Sequence, residues 1–180
     1  GLAQEIFGDD QALVLQPVSN LERLNVVIQD QVDLTIAQVS MTPSRSRIVD
    51  CSIYYYLDGT GIVTKNPEVE NLGDLKSMKI GVLKASSTIA VIKSELPGVQ
   101  LIGVESYHEG LNLLETEKAD AFAADNSILS GWVLDHPQYR QLPLRLSVAP
   151  LCVVMPKGLQ YESLRRQVNQ AIARWHRSGW

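Results

Sequence analysis

The chain has 180 residues, 45% of them hydrophobic, and a formal net charge of −4, the composition of one or two compact units able to bury a core. No block of Lys and Arg interrupts the mildly acidic balance, so neither nucleic acid nor an anionic membrane surface is an expected partner. No apolar run approaches the roughly eighteen residues of a membrane span, and Gly1-Leu2-Ala3-Gln4-Glu5 does not read as a signal peptide.

In chain order, residues 2–7 followed by Gly8 form the last turns of an amphipathic helix with glycine as its stop. Residues 12–18, Ala-Leu-Val-Leu-Gln-Pro-Val, have the composition of a strand. Ser19 and Asn20 then cap a helix whose apolar positions Leu21, Leu24, Val27 and Ile28 recur at helical spacing. Arg23 falls in its first turn, where a solvated surface arginine is expected. Residues 33–39 form a short apolar strand with Ser40 in the turn after it, and Thr42-Pro43 is a helix start with Thr as cap and Pro at the first helical position. Arg45 then occupies the third helical position, where the helix dipole disfavours a cation. A nearby anion would relieve this, and a hydroxyl, free N–H groups and a planar guanidinium fork together suit a carboxylate. An ordinary surface arginine beside a strand-to-helix turn is the alternative.

Residues 54–65 are extended, with Tyr54, Tyr55 and Tyr56 either packing the core or facing a ligand. Residues 79–83 are a strand. The hydroxyl-rich turn Lys84-Ala85-Ser86-Ser87-Thr88 leads into a helix over 89–96, so its hydroxyls can cap the helix, meet an anion, or do both. A strand over 99–104, a helix over 106–117 and a strand over 119–124 ending at Asp125 follow. Asp125 is a good N-cap for the helix 126–134 and equally a carboxylate at a strand end. Residues 148–155 are a strand. Residues 161–176 are an amphipathic helix with Leu164, Val168, Ala171, Ile172 and Trp175 on its apolar stripe, Trp175 and Trp180 serving as packing anchors. Cys51 and Cys152 have no spacing that defines a disulfide framework or metal site and are expected to be small buried hydrophobes. His108, His136 and His176 lie on unrelated segments, so neither a metal nor a cofactor is expected. The alternation of strands and helices predicts an α/β architecture with mostly parallel sheet, in which ligands gather at the carboxyl ends of strands.

The pattern Asp-Leu-x-Ile-Ala-x-x-Ser-x-Thr-Pro-x-Arg-x-x-x-Val-Asp-x-Ser from Asp33 to Ser52, continuing through Tyr55-Tyr56 to Gly59-Thr60, resembles the signature of bacterial extracellular solute-binding protein family 3. The resemblance covers essentially the whole chain. It implies a two-lobed, type II periplasmic binding protein fold, each lobe a mostly parallel sheet flanked by helices, with residues 1–58 and 153–180 in one lobe, 59–152 in the other and a two-strand hinge. It also implies a first strand of lobe 1, a cleft loop and a helix start that would precede Gly1; without that strand, ladder groups would be left unpaired and apolar surface exposed.

By the same resemblance Ser40 and Arg45 clamp the α-carboxylate of an amino acid, the backbone carbonyl of Gln38 takes its ammonium, Ser86 and Ser87 touch the carboxylate from the second lobe, and Asp125 accepts the ammonium. Arg23 and Tyr56 are further possible contacts. Gln38 stands where Gly or Ser is common in the family, and Cys51 where Phe is usual. The function implied is capture of an α-amino acid in an interlobe cleft outside the cytoplasm, in the periplasm or its equivalent, for delivery to an ABC transporter permease. The same lobes also serve as input domains of signalling proteins, and a few relatives are enzymes of the cyclohexadienyl dehydratase kind. Apart from Asp125, no pair of titratable groups is arranged for acid–base work, so an enzyme is not expected.

Overall fold

A computed structural model describes residues 1–179; Trp180, expected as a packing anchor, lies outside the described residues. In chain order the elements are α1 (Leu2–Phe7), α2 (Asn25–Ile28), β1 (Thr35–Ser40), β2 (Asp50–Cys51), β3 (Tyr56–Asp58), β4 (Thr60–Thr64), β5 (Lys79–Leu83), α3 (Thr88–Glu95), β6 (Gln100–Val104), α4 (Tyr107–Glu115), β7 (Ala121–Asp125), α5 (Asn126–Asp135), β8 (Arg140–Gln141), β9 (Ala149–Met155) and α6 (Glu162–Arg177). They fall into two compact units, Gly1–Leu57 with Pro150–Trp180 (unit 1) and Asp58–Ala149 (unit 2).

Unit 2 is built on a five-stranded sheet in the order β6-β5-β7-β4-β8. β5 runs parallel to β6 and β7, and β4 antiparallel to β7 and β8. Side chains alternate between faces as the strand period requires. Ile62, Ile80, Val82, Ala121 and Ala123 pack with Ile92 and Leu96 of the α3 region on one side, while Val63, Phe122 and Ala124 pack with Leu114 of α4 and Leu129 of α5 on the other. Phe122 is fully buried and sits opposite Gly81 in the ladder. A Cβ on Gly81 would stand 2.7 Å from Phe122 Cδ2, and one on Gly110 2.4 Å from Cε2, so these two glycines are the space the ring occupies. Ser106 caps α4 by accepting a hydrogen bond from Glu109 N. The buried Tyr139 hydroxyl donates to Glu115; burial first, then that carboxylate, raises the phenol's pKa, and the same bond lowers that of Glu115.

Unit 1 carries a sheet in which β9 is central, flanked by β1 and β2 and also paired with β3; β9 returns antiparallel to both β1 and β2, so the mostly parallel sheet expected of each lobe does not hold here. Val26, Val27, Val39, Val49 and Val154 form one core cluster. Val153, Met155, Val168 and Ile172 form a second, against which Leu2, Ile6, Leu164 and Trp175 pack. α1 ends at Gly8, whose φ of 71° is the left-handed stop. It is tied to α6 through Glu5, which accepts from Arg174 Nε at 3.0 Å and from Trp175 Nε1 at 3.3 Å.

Four local expectations change. Residues 12–18 form no strand, and Leu13, Val14 and Leu15 are 49%, 97% and 83% exposed, because β-composition makes a strand only where a neighbouring strand completes the ladder. The helix expected from Leu21 is an irregular turn with regular helix only at Asn25–Ile28. Ser19 and Glu22 still form a reciprocal cap, Ser19 Oγ donating to Glu22 at 2.6 Å and accepting from Glu22 N at 3.3 Å, but the turn that follows becomes regular helix only over its last four residues. The helix expected after Pro43 is a single 3₁₀ turn, Arg45–Arg47, with Thr42 Oγ1 accepting from Arg45 N. The cysteines are not independent buried thiols: Cys51 and Cys152 form a disulfide, with Cα atoms 5.6 Å apart and 101 positions apart in sequence. Antiparallel pairing of β2 with β9 sets Cys51 opposite Val154, two residues from Cys152, a proximity created by the returning strand that no local spacing encodes.

Candidate functional site

In unit 1 the sequence-predicted residues gather around the end of β1. The ladder between β1 and β9 pairs Thr35 with Val154, Val39 with Cys152 and Ser40 with Leu151, with an irregularity between Thr35 and Val39. Gln38 lies in that irregular stretch with φ 51°, a left-handed conformation that a side chain disfavours. Glycine, common at this position in the family that the sequence resembles, takes such a conformation without that cost. Ser40 is buried, and Arg45, half-buried on the following turn, reaches back to donate from Nη1 to the Ser40 carbonyl at 2.7 Å. A guanidinium thus stands beside the strand end, as a carboxylate clamp requires.

Arg23 departs from the expected solvated side chain. It is only 7% exposed, and its Nη1 donates to the carbonyls of Ala37 at 2.7 Å and Gln38 at 3.2 Å. The carbonyl that the resemblance assigns to the ligand's ammonium therefore already accepts from Arg23, although a carbonyl has two lone pairs to offer. Tyr56 is exposed, whereas Tyr55 packs against the α6 core cluster and Tyr54 lies against His176 at a ring distance of 5.2 Å.

In unit 2 the candidate residues stand at the carboxyl ends of β5 and β7, the edge at which α/β sheets bind ligands. Ala85 has φ 56°, and this left-handed residue turns the chain from β5 toward α3. Ser86 Oγ accepts from Thr88 N at 3.0 Å, so this hydroxyl does cap the helix start. Ser87 is half-buried at the cap position and makes no side-chain cap bond. Thr88 Oγ1 beside them is buried without a hydrogen-bond partner.

Asp125 ends β7 opposite Thr60 and makes no side-chain cap hydrogen bond to α5. The start of α5 is served instead by Asp58, which sequence reasoning passed over. Asp58 is 1% exposed; its carboxylate accepts from the Ser127 hydroxyl, from Ser127 N at 3.3 Å and from Gly59 N at 2.8 Å, while Gly59 O takes Asn126 N at 2.8 Å. The only sequence signal for this role was an acid directly before Gly59 at the entry to unit 2. No group of acidic, His and Cys side chains among the described residues could hold a metal, and no helix among them is long and apolar enough to cross a membrane.

The architecture is that of the type II periplasmic binding proteins. It matches an amino-acid ABC transporter substrate-binding protein of Streptococcus pneumoniae bound to L-arginine with a TM-score of 0.87 at 25% identity, over 99% of this chain and 75% of that one. The chain belongs to the bacterial extracellular solute-binding proteins, family 3, over residues 2–180. It is 30% identical over 152 residues to a glutamine-binding protein of Geobacillus stearothermophilus, covering 83% of this chain and 58% of the relative. It is 25% identical over 182 residues to the ABC transporter glutamine-binding protein GlnH of Bacillus subtilis (strain 168), covering 99% and 65%. The chain thus spans less than two thirds of the length of these curated relatives.

Proposed function

We propose that the chain captures an α-amino acid as the extracytoplasmic binding component of an ABC importer. The observation that carries this reading is the Arg45 guanidinium held against the Ser40 carbonyl at 2.7 Å, at the end of the strand that also carries the strained Gln38 backbone. Strain of this kind persists where the surrounding fold imposes it, and binding sites are where it collects. In this reading Arg45 and Ser40 take the ligand's carboxylate, Ser86 and Ser87 add hydroxyls from unit 2, Asp125 takes the ammonium, and the Gln38 carbonyl is a second acceptor beside Arg23. Tyr56 contributes an aromatic wall. Both curated relatives are named for binding glutamine, and the streptococcal structure holds L-arginine; all three are binding proteins, and this chain is read as a receptor, not an enzyme. A disulfide suits an oxidising, extracytoplasmic compartment such as the periplasm. The test is calorimetric titration with L-glutamine and L-arginine. One of them should bind the wild type, and Arg45→Ala should abolish that binding with the thermal melt retained; unchanged binding in the variant would overturn the site.

A further inference from the structure

The disulfide is not spread evenly over the molecule's needs. It lies beside a short ladder, since β2 pairs with β9 over only Asp50↔Met155 and Cys51↔Val154. The ladder on the other side of β9 breaks between Thr35 and Val39 and resumes at Val39↔Cys152 and Ser40↔Leu151. Cys152 is therefore the residue directly across from Val39, between Gln38 and Ser40, and its partner Cys51 sits on the opposite flank of β9. The stretch enclosed between the two cysteines contains all of unit 2, so both places where the chain passes between the units lie inside the covalent loop. Beyond the disulfide, residues 52–55 are joined to β9 by Ser52 N to Val153 O, by Val153 N to Ser52 Oγ and by Tyr55 N to Leu151 O, each at 2.9 Å. Bonds of that number are readily lost by local opening, whereas a covalent link is not.

We propose that the Cys51–Cys152 disulfide is the clamp that holds the Gln38–Ser40 half-site in register, so that the thiol–disulfide state of the protein sets its affinity for the amino acid. The control of affinity rests on the functional reading above; the control of register does not. Reduction by a dithiol is chemically complete. A thiolate of the reductant attacks Sγ of Cys51, the more accessible sulfur because Cys152 is only 3% exposed, and the S–S bond breaks with Cys152 leaving as a thiolate that takes up a proton. The reductant's second thiol then displaces Cys51 from the mixed disulfide, leaving two protein thiols and the oxidised reductant as its own disulfide.

The experiment compares the oxidised protein, the same protein in dithiothreitol, and the double variant Cys51→Ala/Cys152→Ala, by hydrogen exchange and by calorimetry with L-glutamine and L-arginine. Exchange over residues 35–40 and 150–155 should accelerate about tenfold or more in the reduced protein and the variant, while residues 60–64, 79–83 and 121–125 keep their protection. Affinity for the amino acid that binds should fall about tenfold. Unchanged exchange over 35–40 on full reduction would overturn the clamp. Faster exchange with unchanged affinity would overturn its control of the site. If the oxidised protein binds neither amino acid, the control of affinity falls with the functional reading and exchange alone decides the clamp. If the double variant does not fold, the wild-type protein in dithiothreitol decides between these outcomes.

Discussion

In unit 2, five consecutive residue pairs join β4 to β7 and five join β5 to β6, whereas in unit 1 β2 meets β9 over two pairs and β1 meets it across an irregularity. The two regions hold their candidate edges in place by different means. Unit 2 presents Ser86, Ser87 and Asp125 at the ends of fully laddered, buried strands, so backbone hydrogen bonds and a close-packed core fix them. Unit 1 presents Gln38 and Ser40 on a strand that bends out of register and Arg45 on the turn after it, and it relies on side chains: Arg23 on the carbonyls of Ala37 and Gln38, Arg45 on that of Ser40, and the disulfide. The end of a strand can thus be held by its ladder or by cross-links from side chains.

The largest effect should come from breaking the packing on which unit 2 depends. Phe122→Ala removes the ring that Gly81 and Gly110 were kept small to admit, and urea unfolding should report a loss of about 3–5 kcal/mol. A loss below about 1 kcal/mol would mean that the ring is not the keystone of that face.

Asp58→Ala tests the polar support at the edge of the same unit. It leaves Ser127 N and Gly59 N without their acceptor in a buried place, and about 1–3 kcal/mol should be lost. A loss below about 0.5 kcal/mol would contradict the role given to the Asp58 carboxylate at the start of α5.

Gln38→Gly sharpens the unit 1 side, because it relieves a left-handed backbone while keeping the carbonyl. Thermal melts should show a gain of about 1 kcal/mol or slightly less, and amino-acid affinity should be kept. A loss of stability would show that the Gln38 side chain does more than occupy a strained turn.

Acid gives the smallest and least selective effect. Glu5 and Glu22 in unit 1, and Asp74 and Glu115 in unit 2, all have pKa values lowered by hydrogen bonds, chiefly from Arg174, Ser19, the Asn71 backbone and Tyr139 respectively. Groups with depressed folded values stabilise the fold above their unfolded pKa and lose that contribution as pH falls through the folded one. Melting temperature should therefore hold down to the ordinary carboxylate values, 4.5 for Glu and 3.8 for Asp, and decline below them. Glu5→Gln should flatten the unit 1 part of that decline.

Much of unit 2 was legible in the sequence because its signals are local. Residues 79–83 and 119–124 are short, mostly apolar runs of strand length, and Ser106 opens the helix expected over 106–117. The two roles open to Asp125 could not be separated in the same way, because the acid that serves α5 lies 69 positions before Ser127. The same kind of distance hid the disulfide, whose cysteines meet only when β9 returns to β2, and the burial of Arg23, whose partners lie on a strand 14 and 15 residues downstream. Residues 12–18 failed for the opposite reason: their strand composition is plain, but a strand is a property of a pair.

Calorimetric titration of L-glutamine and L-arginine into the oxidised wild-type protein, Arg45→Ala and Asp125→Asn tests the amino-acid site most directly. The expected result is saturable binding of at least one amino acid to the wild type, its loss in both variants, and thermal melts close to wild type for each. Binding that survives Arg45→Ala, or that is lost only together with the folded state, would contradict the assignment of these residues to an amino-acid site.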